Sequence, residues 1–386
     1  MLTWFVNLKF AAKMALIALL LVVAVVVPTR ILHHNLTDSI AFTDQEVQGL
    51  APADSLLQVS ASLQQWTVGQ DNHARIASQL GMLQQQIKQQ LPDTAAVTLI
   101  EQAKQEWQAM TAPTELQRAQ FLTRLNSDVM NAILESSGLS YDPVAASYHL
   151  IIAAYQNMPR VLQHLATMQQ LNSQLTAADA AQIAATQSAV SIQQALLAVP
   201  LADFMHNLTQ AAVTEPGVAA AGLIKDQKSL AAGLQALSQQ AGSAAEQAAF
   251  IGSLLAQATA MNGRISTFLQ QLMQQRSEAA HAEQVSLMIT VVVLLLVAAG
   301  FGSWIVHNTN SAVVGAVRVA NAIAAGDFSK AIASNRRDEV GQLLHALWQM
   351  NGALQQAARQ ADELQQRTAA DAERAQQEAV AARENT

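Results

Sequence analysis

The chain has 386 residues and no cysteine, which excludes disulfide frameworks, thiol nucleophiles and cysteine metal sites together. Proline and glycine are scarce, at 8 and 16 residues, and aromatic residues make up only 4% of the chain. Ala, Gln and Leu supply much of the rest. All three are good helix formers with little to interrupt them, so the sequence predicts an all-α protein. A net charge of −7 leaves no basic footprint for a phosphate backbone, and no nucleic-acid partner is expected. Histidines are present but not arranged as ligands. His33 and His34 are adjacent and diverge by about 100° on a helix, and no HExxH occurs. There is no phosphate-cradling glycine loop and no nucleophile elbow. No metal, no cofactor and no enzymatic activity are expected.

What is present is strongly segregated. Residues 285–306 read VSLMITVVVLLLVAAGFGSWIV, 22 residues without a charge. As a helix this run is about 33 Å long, enough to cross a bilayer. A second apolar run at 14–27 is extended by its neighbours and predicts a first span over 10–28. A cleaved signal peptide is the alternative, but the run ends in VVVPTR without a small-x-small cleavage pattern. Lys9 and Lys13 precede it, which places residues 1–9 in the cytoplasm and 29–284 outside. The outer segment carries 11 Lys and Arg against 19 Asp and Glu, so most of the negative charge lies there.

The outer segment is rich in Gln, Ala and Leu. Breaks are expected near 68–71, 91–93, 111–114, 138–143, 173–176, 200–202, 214–217 and 240–243. Asp142 before Pro143 reads as an N-cap ahead of a first-turn proline, with Thr114, Thr176 and Thr214 as weaker starts. Eight breaks exceed the three connections of one four-helix bundle, and two stacked helical modules fit the number better. No proline follows Pro216, so the last outer helix, the second span and the cytoplasmic segment are expected to form nearly unbroken helix.

Within the outer segment the helix after Pro143 is the leading ligand-site candidate. Pro159 removes the bond to the carbonyl of Tyr155 and should kink the helix there. Tyr148 and Tyr155 are seven residues apart and share a face, with Asn157 and Arg160 beside the distortion. Two phenols and a guanidinium can line a cavity for a small carboxylate or similar polar solute. Arg75 and Trp66 are weaker candidates. The competing reading has the tyrosines packing the core and Arg160 facing water.

The cytoplasmic segment carries two seams of coiled-coil spacing, Val313, Val317, Ala320, Ala324 and Val340, Leu343, Leu347, Met350, Leu354. Gly326 can take the left-handed conformation that ends the first helix, and Asp338 and Glu339 favour the start of the second. Two such helices with a long connector form a parallel pair that needs a second copy to close a four-helix core, so a homodimer is expected. ANAIAAGDF at 320–328 and DEVGQLLHALWQM at 338–350 resemble the signature of a HAMP domain over about 307–360, with Ala312 where that family usually has proline. Residues 361–386 read as a coiled-coil linker.

The layout of span, sensor, span and HAMP resembles the N-terminal part of a methyl-accepting chemotaxis protein. AFTDQEVQGL at 41–50 and GLSYDPVAASYHLIIAAYQNMPRVLQHL at 138–165 are similar to segments of helical periplasmic sensors, although Gln65–Trp66 stands where relatives often carry a basic pair. The resemblance implies a bacterial inner-membrane receptor with a periplasmic sensor. It also implies relay through Trp304, Gly326, Asp327, Asp338, Glu339, Val340, Leu343, Leu347 and Met350, and a cytoplasmic chemotaxis kinase and adaptor as partners. The same input half also serves sensor histidine kinases and diguanylate cyclases, and a non-sensing helical scaffold is the remaining alternative.

Overall fold

The structure is a computed structural model that describes residues 10–65, 72–175, 180–237, 243–327 and 339–384. All regular structure among the described residues is helical. The long elements are α1 (Phe10–Gln64), α2 (His73–Gln90), α3 (Ala95–Ala109), α4 (Glu115–Arg124), α5 (Met130–Ser136), α6 (Ala145–Ile151), α7 (Met158–Gln174), α8 (Ala180–Thr214), α9 (Pro216–Ala220), α10 (Leu223–Leu237), α11 (Ala244–Ala324) and α12 (Glu339–Glu384). The chain divides into two compact units, one of residues 33–285 and one of residues 1–32 with 286–386.

Several breaks fall where expected. Thr114 caps α4 with a full capping box to Gln117, and Ser243 and Glu246 form another at the start of α11. The breaks near 91–93, 111–114 and 214–217 are also present, whereas the expected break at 68–71 lies outside the described residues.

Three expectations are corrected. The break at 200–202 does not occur, because α8 runs through Pro200. The ring is buried, with Leu197 and Phe204 buried on either side. That packing against α6 and α7 offsets a proline cost of about 3 kcal/mol. Asp142 does not cap at Pro143. It accepts from the Val144 amide at 2.8 Å, and α6 begins at Ala145, because Asp142 is also drawn to Arg276. Glu215, not Thr214, accepts from the Gly217 amide at the start of α9.

The unit 33–285 has one contiguous apolar core, with Trp107, Phe121, Tyr155 and Phe204 fully buried. Helix contacts within it fall into two groups, α2 to α5 around α3 and α6 to α10 around α8. Two π-helical turns, Leu125–Val129 and Ile152–Asn157, contact each other where the groups meet. In the first group, His73 stacks on Trp107 at 5.0 Å and each ring bonds the other residue's carbonyl.

Among the described residues two helices are long and apolar enough to cross a membrane, Ile183–Thr214 and Ala244–Ala324. The first buries Leu197, Phe204, Leu208 and Ala211 in the core of its unit, as a core helix does. The second contains 285–306, where Val293, Leu296 and Phe301 are 52%, 68% and 63% exposed. Residues of the expected first span lie within α1, and Leu19, Leu20 and Val27 are likewise 57%, 62% and 52% exposed. Exposed apolar side chains at this density suit contact with lipid rather than water.

Candidate functional site

α1 and α11 run antiparallel within the unit 33–285 and exchange polar contacts along their length. Gln284 donates to Thr37, Ser277 and His281 meet Asp44, and Arg276 reaches Glu46. Farther along, Ser266 and Gln270 both donate to Asp54. Two of these contacts are carboxylate centres, one buried and one half-buried, and they differ in what they leave free.

At the first centre Arg276 bridges Glu46 and Asp142. One guanidinium nitrogen donates to Asp142 at 2.9 Å and the other to Glu46 at 2.5 Å. Both carboxylates are buried, and each keeps one oxygen without a hydrogen-bond partner. Two acids facing one base leave a surplus negative charge in the interior. Burial first, and Asp142 second, push the Glu46 carboxyl up to about 7, while Arg276 opposes the shift. Both terminal guanidinium nitrogens are engaged by protein, to Asp142 and Ser147 on one side and to Glu46 and Thr43 on the other, so this centre reads as a structural tie.

The second centre borders a cavity of about 300 Å³. Asp54 accepts from Tyr155 Oη at 2.9 Å, from Ser266 Oγ and from Gln270 Nε2. Burial raises its carboxyl above the ordinary aspartate value, and these three bonds oppose the rise. Burial also pushes the Tyr155 phenol well above its usual value. Asn262, 5% exposed, lines the same cavity with its Oδ1 unpartnered. Pro159 and Leu162 supply part of the apolar wall, and exposed Thr259, Gly263 and Thr267 connect the cavity to solvent. A site with a few convergent polar groups on an otherwise apolar surface is the usual form of a small-molecule pocket.

The sequence candidates separate in space. Tyr155 is fully buried and bonded to Asp54 at the cavity edge, and Pro159 forms part of its wall. Instead of a simple kink, the helix widens into the π-turn Ile152–Asn157 just ahead of Pro159, which absorbs the missing N–H. Asn157 is buried with its Nδ2 unpartnered. Tyr148 is half-buried and packs edge-on to His149. Arg160 and Arg75 are exposed and line no part of this cavity, so the competing reading holds for Arg160. Trp66 lies outside the described residues.

Asp54, Asn262, Ser266 and Gln270 were missed. A signal for Asp54 exists, since its i−4 and i+3 neighbours are Leu50 and Leu57. A carboxylate on the apolar stripe of a helix must find partners inside.

In the second unit, α11 ends in a Schellman motif. The Asp327 amide donates to Ala322 O at 2.9 Å and the Gly326 amide to Ile323 O at 3.0 Å, with Gly326 at φ 84°. Glu339 opens α12, and Asp338 lies outside the described residues. Ala316 and Ile323 are buried, and Val340 and Leu347 are half-buried. Val317, Leu343, Met350 and Leu354 stay 53%, 49%, 43% and 41% exposed. Trp304 is 61% exposed and packs on Phe301 at 5.7 Å.

Comparison with known proteins agrees with this second unit. No curated protein and no solved structure gave a significant match to the chain, whereas residues 304–365 match the HAMP domain family. The chain is an all-helical protein that carries a HAMP domain behind a membrane-length apolar helix, the arrangement of a signal-transducing receptor.

Proposed function

We propose that this protein is a transmembrane receptor of the chemoreceptor type. Its unit 33–285 binds a small solute outside the inner membrane, and its HAMP domain relays the occupancy to a cytoplasmic signalling module without catalysing a reaction itself. The observation that carries the reading is the content of one helix. α11 holds Asn262, Ser266 and Gln270 on the wall of the Asp54 cavity, then the uncharged run 285–306, then the first HAMP residues. A solute that contacts the cavity wall acts directly on the helix that enters the relay. Such a solute changes the signalling state only as far as it binds the two states with different affinity. The chemotaxis assignment is supported by the resemblance of 41–50 and 138–165 to chemoreceptor sensors.

The cysteine-free chain makes the test clean. With a single cysteine at Leu343, membranes are screened against a solute library for compounds that change disulfide cross-linking between two copies. At least one small solute should change it, and the same solute should direct swimming in cells carrying the intact gene but not in a deletion strain. A cross-linking response without a swimming response points to another output, and no response to any solute removes the sensor reading.

A further inference from the structure

Resting on the reading of 33–285 as a solute sensor, we infer that the Asp54 cavity takes a small cationic solute with N–H donors, an amine or ammonium compound, rather than a carboxylate. The charge of the wall argues for this first. Among the residues that line the cavity, Asp54 is the sole charged side chain, and no Lys, Arg or His stands beside it. A carboxylate ligand would enter against a half-buried carboxylate with no cation on the wall to receive it, which is unfavourable.

The unused hydrogen-bonding capacity argues for it second. The donors that meet Asp54, and the Ser60 hydroxyl on the same wall, are already engaged. Tyr155 Oη, Ser266 Oγ and Gln270 Nε2 point at Asp54, and Ser60 Oγ donates to Asn126 at 2.7 Å. The buried polar atom left unpartnered on the wall is an acceptor, while the Gln58 and Gln64 amides can turn either an oxygen or a nitrogen to a ligand. Asn262 Oδ1 is buried and unpartnered, and Asp54 has used three of about four acceptor positions. An unpaired buried acceptor is costly, and a ligand N–H that satisfies it gains correspondingly. An ammonium group that donates to Asn262 Oδ1 and lies against Asp54 would supply the charge that the wall lacks and the donor that Asn262 Oδ1 lacks. At about 300 Å³ the cavity is at the small end for ligand pockets. Leu57, Ala61, Pro159 and Leu162 would cover a short carbon chain.

Isothermal titration of the full chain in detergent micelles tests the inference, with putrescine and ethanolamine as amine probes and acetate and malate as carboxylate probes. At least one amine should bind saturably and neither carboxylate should. Asp54→Asn should weaken the amine by about tenfold or more, the loss expected for one charge-assisted hydrogen bond. Gly263→Leu separates this inference from the cavity reading beneath it. A Cβ at Gly263 meets open space, so a leucine there fills the cavity side without a backbone clash. It should block any cavity ligand while the protein melts no lower than wild type. Carboxylate binding that Gly263→Leu abolishes keeps the cavity and overturns the cation. Amine binding that Asp54→Asn leaves unchanged, or no amine binding at all, also overturns the cation. Binding of any probe that survives Gly263→Leu removes the cavity itself.

Discussion

The two units carry apolar stripes of similar helical spacing and finish them differently. In 33–285 the stripes meet within one chain, and Ile76, Leu80, Ile100, Phe121 and Phe204 are fully buried. That unit even accommodates Glu46 and Asp142 inside and half-buries Asp54, and a charge so placed must be bonded or neutralised. In the HAMP unit the seam residues Val317, Leu343, Met350 and Leu354 remain 41–53% exposed. The sensor is self-sufficient and spends its interior on polar contacts. The relay has an apolar seam that a single chain leaves open, and that opening is what a second copy would close.

The largest expected effect follows from that open seam and is nearly all-or-none. Single cysteines at Val340 or Leu347 should cross-link two copies far more than one at Gln355, and Leu343→Asp in the same chain should abolish the difference. Equal cross-linking at all three sites would mean that the seam does not face a second copy. The same aspartate should leave the melting of 33–285 unchanged.

The next effect concerns the polar interior that the relay lacks. Arg276→Leu leaves Glu46 and Asp142 buried without their shared cation. Removing one partner of such a group costs about 3–5 kcal/mol, or roughly 10 °C in melting temperature for a unit of this size. A shift below about 2 °C, less than 1 kcal/mol on the same scale, would show that the two carboxylates are hydrated in solution.

Glu46→Gln has a smaller, pH-dependent effect. The folded-state value of about 7 stands above the ordinary 4.5, so the folded state holds this proton more tightly than the unfolded chain. The stability linked to the protonated form is complete below about pH 4.5 and is lost as pH rises through 7. Relative to wild type, Glu46→Gln should therefore gain stability from pH 5 to pH 8, then level off. The gain is at most about 3 kcal/mol, at 1.36 kcal/mol per pKa unit. Urea unfolding at pH 5, 6, 7 and 8 measures the difference, and parallel curves would place Glu46 in contact with water.

Much of the relay was legible because its devices are local. Gly326 at a left-handed C′ position, the acid opening α12 and the seam spacing each depend on residues within two turns of one another. The helix class and the cap at Thr114 were legible for the same reason. The cavity was not, because its wall joins Asp54, Tyr155 and Asn262, which are 101 or more residues apart. No local pattern pairs them. Pro200 misled in the opposite direction, since a strong local breaker was overridden by packing on neighbouring helices that the sequence does not reveal. The tyrosine–proline pattern at 155–159 sits between these cases. It marked the right place but as a kink rather than a π-turn, and the helical repeat alone did not say that Tyr155 turns inward and Arg160 outward.

That last distinction gives the smallest predicted effect, and it decides where the solute binds. Arg160 is exposed and belongs to no ion pair among the described residues. Arg160→Ala should therefore change stability by no more than about 0.5 kcal/mol, as surface substitutions do. It should also leave the solute response of the Leu343 cross-link intact, whereas Gly263→Leu should remove it. A guanidinium that met the ligand would give the reverse, with loss of response at an unchanged melting temperature. That reverse result would move the site from the Asp54 cavity to the outer face of α7, and would return a carboxylate to first place among the candidate ligands.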